Sequence, residues 1–391
     1  MSIRGNRQRK MKRSTLKYFY RGTAPHFLTS MFSFMLIGIY AVIGLNLTFV
    51  SPVVEAFRDF DITDICYKMI AEQQSHAITI VDLTDLESRR EIAATLRDLE
   101  SMNPRVIGMD AVFEGVKHDT LGNEMLTEVA REYDNIVFAS RIKEDTNGEI
   151  RTISSFFTDS VDVAQGVTNI PRSLYNGIKR TLRHSWECNG EKSYSIVDEI
   201  VRRYGIQTTY DGITRINYQP TRFDVLQPSD LPASRDLIEG RIILFGAMAD
   251  EGDMHYTPLG KMAGVELLAY ATQTMIEEKA VWKLPMPVHI LLSIILVILS
   301  EYMIDTYKKW SANHKSPVVR YFLGSYYVIS IWQFLWISFL MWMVLICFTQ
   351  WNLAMDIGWT VSAIAMLSMG RSLRDSIEGF LRESRKNKSK R

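Results

Sequence analysis

Cysteine is scarce in this sequence. Three residues, Cys66, Cys188 and Cys347, are too few and too widely spaced for a disulfide framework, a zinc ribbon or a CxxC redox motif. An excess of one charge is also missing: 45 basic and 44 acidic residues leave +1, which gives no sign of a nucleic-acid or strongly acidic partner. GxSxG, HExxH and Gly-rich phosphate loops are absent, and His76, His118, His184 and His255 are scattered, so no hydrolase or nucleotide-binding signature stands out. What is present is ordinary apolar content, 47% of residues, which excludes disorder for most of the chain, together with long apolar stretches that carry little or no charge.

Four of those stretches read as membrane spans: residues 26–50, 285–305, 326–348 and, shorter, 354–370. At 1.5 Å per residue the first and third are long enough for about 30 Å of hydrocarbon. The first is too long for the apolar core of a signal peptide and no small-residue cleavage pattern follows it, so it reads as an uncleaved anchor. Trp351 and Trp359 suit an interfacial belt around the last turn.

Lys and Arg fix the expected orientation. Eight lie in the tail 1–25, four in the loop 306–325 and eight in the tail 371–391; with four spans all 20 fall on one side, which makes that side and both termini cytoplasmic. Residues 51–284 then lie outside, periplasmic if the membrane is a bacterial inner membrane. They hold 25 basic against 38 acidic residues, unsuited to anionic lipid or nucleic acid.

The exported segment alternates strand and helix. Residues 77–83 (AITIVDL) form a short β-branched run of the kind buried on both faces, Thr84 and Glu87 have capping-box spacing, and Ile92, Leu96, Leu99 and Met102 follow at helical intervals. Asn103 and Pro104 stop that helix before a second buried strand at 105–113, completing a right-handed βαβ unit. Helices are expected at 119–133, 194–204 and 264–278, strands at 135–140, 213–218 and 241–246, a turn at Thr146-Asn147-Gly148, and an amphipathic helix in 51–70. The fold class is therefore α/β: a three-layer exported domain with a mostly parallel sheet, plus a four-helix transmembrane region.

Four stretches carry a family resemblance: ITIVDLTDLESRREIAATLRDLESMNPRVIGMDAVFEG at 78–115, TNGEIR at 146–151, INYQP at 216–220, and GRIILFGAMADEGDMHYTPLGKMAGVELLAYATQTMI at 240–276. In this order they resemble the CHASE2 family of extracytoplasmic sensor domains, which occur in bacterial receptors ahead of three transmembrane helices and a cytoplasmic output module. The resemblance implies a sensory role. It departs from the family pattern after Gly370, where 21 residues hold no kinase or cyclase, so the output is expected on another polypeptide.

Asp82 and Asp110 are expected at the C-terminal ends of two adjacent parallel strands, where open α/β sheets bind ligands, with Asp250, Asp253 and His255 in a neighbouring loop. Asp82, Asp110, Asp253 and His255 are the candidate ligand-binding residues. Asp82, Asp110 and Asp253 could hold Mg²⁺ or Ca²⁺ through oxygen, or the acids could instead accept backbone N–H bonds that stabilise the sheet edge. Cys66 and Cys188 could pair in an oxidising compartment or stay as two thiols. Asn46 and Gln333 are placed to hydrogen-bond between membrane helices, Glu301 to snorkel at a helix end, and Trp332, Trp336 and Phe339 to form a packing stripe. No cofactor is expected beyond such a divalent cation, and no catalytic residue. The leading expectation is a sensory receptor subunit, with the lipid bilayer, a separate output or assembly protein and further copies of itself as partners. The alternatives are an accessory subunit that docks through its exported domain, and a metal-dependent periplasmic enzyme.

Overall fold

The computed structural model describes residues 24–39, 62–144, 150–172, 177–188, 190–207 and 210–388. The chain divides into two compact units, residues 64–282 and residues 1–63 with 283–391. The second, helical unit opens with α1 (Ala24–Ile39). Helix α2 (Ile62–Met69) leads into the α/β unit.

That unit runs β1 (Gln73–Asp82), α3 (Arg89–Glu100), β2 (Val106–Met109), α4 (Thr120–Glu132), β3 (Ile136–Glu144), β4 (Ile150–Ile153) and β5 (Ala164–Val167). It continues through β6 (Thr181–Arg183), β7 (Ser185–Cys188), β8 (Glu191–Tyr194), α5 (Ile196–Tyr204), β9 (Ile213–Arg215), β10 (Thr221–Leu226), β11 (Ile242–Gly246), β12 (Met254–Thr257), β13 (Gly260–Ala263) and α6 (Gly264–Ile276). Seven strands form one sheet in the order β10-β1-β11-β2-β3-β4, with β5 also on β3; every pairing is parallel except β3 with β4. Strands β2 and β11 are buried throughout, as their unbroken apolar runs require.

Two details correct the sequence reading. Strands β1 and β2, consecutive in the chain, are not neighbours: β11 is inserted between them, pairing Asp82 with Gly246 on one side and Met109 with Phe245 on the other. Helix α3 starts one capping motif later than Thr84–Glu87, at Ser88, whose hydroxyl accepts from Glu91 N while Glu91 reaches back to Ser88 N. The sequence carries the same Thr/Ser-x-x-Glu spacing twice in succession, and Thr84 is drawn off to the strand end.

On one face of the sheet, Leu96 and Leu99 of α3 and Leu126 and Val129 of α4 pack with Val81, Ile107, Phe138 and Phe245. Each such side chain contributes about 1.5–3 kcal/mol by leaving water. Helix α5, capped by Ser195, buries Ile196, Val197, Ile200 and Val201, and it lies so close that glycine is required beneath it. A Cβ on Gly166 would stand 2.6 Å from Ile196 N, and one on Gly108 would stand 2.9 Å from Leu244 Cδ2 and overlap Ile200.

In the helical unit follow α7 (Met286–Ala312), α8 (Pro317–Leu323), α9 (Tyr326–Trp351), α10 (Gly358–Ala365) and α11 (Leu367–Lys388). Among the described residues two helices, α7 and α9, are long and apolar enough to cross a membrane, where four spans were expected. The run 354–370 is not one helix: it breaks at Met366 into the short α10 and the largely polar α11. Of the first expected span, α1 covers 24–39; residues 40–50, with Asn46, lie outside the described residues, as does the turn at 146–148. Polar side chains join the helices: Thr360 Oγ1 donates to Ser293 Oγ at 2.8 Å, Trp336 Nε1 to Ser300 Oγ at 2.7 Å, and Gln333 to the Ile364 carbonyl. Trp336 stacks on Phe339, with centroids 5.5 Å apart.

Candidate functional site

Asp82 ends β1 as a saturated acceptor. Its Oδ1 receives Thr84 N at 2.9 Å, the Thr84 hydroxyl at 2.5 Å and Met248 N at 3.0 Å, and its Oδ2 receives Gln227 Nε2 at 3.2 Å. Burial alone would raise this carboxyl, but the bonds from Thr84, Met248 and Gln227 outweigh it and hold the pKa below the ordinary aspartate value. Asp82 therefore ties the end of β1 to the segments after β10 and β11, with three donors on Oδ1 and one on Oδ2.

Asp110 follows β2 on the far side of Gly246. Two strand spacings, about 10 Å, separate its backbone from that of Asp82, and Asp82 is not among the charges that act on it. Asp110 faces a different set. Burial, then the nearby Asp253 carboxylate, push its pKa up to about 7, while Arg141 and His255 pull it down. Asp253 Oδ1 stands 3.3 Å from His255 Nε2, and the carboxylate lies against Gly264, the first residue of α6, where a Cβ would overlap it. The uncapped start of α6 favours negative charge there. Lys179, whose ammonium is depressed by burial and by Arg172, also feels Asp253. Asp250 accepts from Gly252 N at 2.9 Å and only caps its own turn.

The structure thus brings Asp110, Asp253 and His255 together with Arg141 and Lys179, and leaves Asp82 outside. Among the described residues no group of three His, Cys, Asp or Glu side chains is arranged to hold a metal ion, which removes the geometric basis for the Asp82–Asp110–Asp253 cation site. The remaining cluster mixes both charges and can exchange a proton near neutrality. That suits recognition of a polar ligand or partner.

A model of the CHASE2 domain matches residues 37–301, about two thirds of the chain. The chain belongs to the CHASE2 domain family. Its members are extracytoplasmic sensor domains, and this one is followed by apolar helices that could span a membrane. No curated protein and no solved structure matched the chain.

Within the CHASE2 region the sequence reading passed over a buried polar network. His184 holds Asp198 Oδ1 through Nδ1 at 2.8 Å and the Thr214 hydroxyl through Nε2 at 2.9 Å, and Ser195 bonds the same carboxylate. It floors an open pocket of about 540 Å³ walled by Tyr194, Tyr210 and Lys192. Nothing in the spacing of a lone histidine and an acid in the first turn of a helix announces that pairing. Cys66 and Cys188 are both buried thiols, so the disulfide left open by the sequence is not formed.

A second correction falls at the family's C-terminal boundary. Glu301 does not snorkel: it is 1% exposed and held by Arg371, Nη2 to Oε2 at 2.6 Å and Nε to Oε1 at 3.2 Å. Arg374, 4.0 Å from Oε1, also bonds the Thr29 hydroxyl at 2.8 Å, and His26 Nδ1 stands 3.9 Å from Glu301. One acid on α7 thereby gathers α1 and α11.

Proposed function

We propose that this chain is a membrane-bound sensory subunit whose CHASE2 domain, held on the extracytoplasmic side of a bacterial inner membrane, detects a ligand or partner and signals to a separate polypeptide. The observation that carries this reading is the extent of the family match: it begins in α1, runs through the α/β unit and ends on Glu301 of α7, so the sensor region is contiguous in sequence with apolar helices on both sides. A stimulus that binds one arrangement of the Asp110–Asp253–His255 cluster better than another shifts the population toward it. Helix α6 starts against Asp253 and is separated from α7 by residues 277–285 alone, which is the shortest covalent route from that cluster to the membrane.

The three-layer reading of the domain is supported by α3 and α4 packing on the residues of one sheet face and α5 on Gly108 and Gly166. Helix α11 offers a partner surface, since Phe380 and Leu381 are exposed on it. Affinity isolation of the full chain in mild detergent, followed by mass spectrometry, tests the reading. A signalling protein retained by the wild type and lost with Phe380→Ser supports it; recovery of the chain alone under several growth conditions contradicts it.

A further inference from the structure

Helix α7 rises about 1.5 Å per residue, so from Met286 to Lys308 it climbs about 33 Å, the full thickness of a bilayer's hydrocarbon. Lys308 therefore stands at headgroup level, toward the C-terminal end of α7, seven residues past the end of the CHASE2 match. An open groove of about 490 Å³ lies there, lined by Lys308, Ser368, Arg371, Ser372, Asp375 and Ser376.

The groove is rich in unspent donors. Lys309, the next residue, is bonded to Asp305 at 2.6 Å, but the Lys308 ammonium has no hydrogen bond or salt bridge among the described residues. Ser368 and Ser372 are one helical turn apart on α11, and neither hydroxyl donates a hydrogen bond there. Ser376 donates instead to the Ser372 carbonyl at 2.9 Å. Arg371 commits Nε and Nη2 to Glu301, which leaves Nη1. The one carboxylate in the lining, Asp375, accepts two bonds from Arg374 on Oδ1, at 2.7 and 3.0 Å, which offset its charge. With Arg371 matched by Glu301 and Arg374 by Asp375, Lys308 leaves the groove one net positive charge. Donors in excess, a single cation and headgroup depth are what a phosphodiester requires.

We infer that this groove binds the phosphate of an anionic phospholipid headgroup, with Lys308 supplying the charge and Ser368, Ser372 and Arg371 donating to its oxygens. Because Arg371 also holds Glu301, a bound headgroup rests on the junction of α7 and α11, so the lipid tightens the point where these helices meet. The inference rests on α7 spanning the bilayer, which impermeant labelling of a Lys315→Cys variant tests separately.

The experiment is native mass spectrometry of the full-length, delipidated protein offered phosphatidylglycerol or phosphatidylcholine. The expected result is selective retention of phosphatidylglycerol, reduced at least fivefold by Lys308→Gln and by Ser372→Ala, kept by Lys308→Arg, and unchanged by Lys309→Gln. Equal retention of both lipids, or full retention by Lys308→Gln and Ser372→Ala alike, overturns the inference. An arm with inorganic phosphate separates the sources: if millimolar phosphate displaces the lipid, the ligand is free phosphate and the headgroup assignment fails.

Discussion

Arg371→Met places the heaviest demand on this structure. It leaves Glu301, 1% exposed, with Arg374 at 4.0 Å and His26 at 3.9 Å as its nearest basic groups, both beyond hydrogen-bonding range. Breaking a buried ion pair from one side typically costs about 3–5 kcal/mol, because the surviving charge stays desolvated. The second guanidinium offsets part of that, so a loss of about 2–3 kcal/mol is expected for Arg371→Met. Glu301→Leu combined with Arg371→Met removes both charges and should lie within about 1 kcal/mol of wild type, since a well-packed apolar replacement of a buried pair is often neutral. The assay is thermal unfolding of the full-length protein in one detergent, read as a double-mutant cycle. A coupling of about 2 kcal/mol is expected, and at roughly 2–4 °C per kcal/mol the single variant should melt about 4–12 °C lower. If Arg371→Met melts with the wild type, or the two substitutions add without coupling, Glu301 is solvated and the argument that α7 and α11 are locked together fails.

Three further outcomes follow from the α/β unit. Asp110 binds a proton more tightly folded than unfolded, so the folded state is favoured below the unfolded value of 3.8 and this contribution is lost as pH rises towards about 7; Asp110→Asn should raise the melting temperature at pH 8 and gain nothing at pH 4. Asp82→Ala removes the acceptor for Met248 N and Gln227 Nε2, each a bond to a charged group worth about 1.5 kcal/mol, so a loss of about 3 kcal/mol is expected in denaturant titration, and Asp82→Asn should lose less than half of that. Gly108→Ala drives a methyl into Ile200 and Leu244 and should cost about 1–3 kcal/mol, measured the same way; a neutral result would mean that α5 does not sit on β2 as described.

The strands that make up the sheet centre were legible because they are buried on both faces and so are apolar without interruption: 77–83, 105–113, 135–140 and 241–246 each overlap an observed strand, although the second ends at Met109, four residues short of the expected end. Their order was not legible. Nothing local tells β1 that its neighbour is β11, about 160 residues on, and the same gap made Asp82 and Asp110 look adjacent. Edge strand β10 (TRFDVL) escaped notice because a half-exposed edge carries polar residues that blur the pattern, and Ile213–Arg215, read as sheet, pairs instead with β6 off the main sheet. Of the candidate site, Asp253 and His255 were readable as a polar loop near a strand end. Their basic neighbours Arg141 and Lys179 were not, because they arrive from β3 and from the irregular segment before β6. Glu301 was visible as a charge in an apolar helix, but its partner lies 70 residues away on α11.

The sidedness of the two units bears most directly on the whole account. The three native cysteines are buried, so single cysteines can be placed at Val116, 74% exposed in the α/β unit, and at exposed Lys315, between α8 and α7. Intact spheroplasts are then treated with a membrane-impermeant maleimide. A sensor domain held outside the cell requires Val116→Cys to label at once and Lys315→Cys to label only after permeabilisation; labelling of Lys315→Cys in intact spheroplasts with Val116→Cys protected would contradict it.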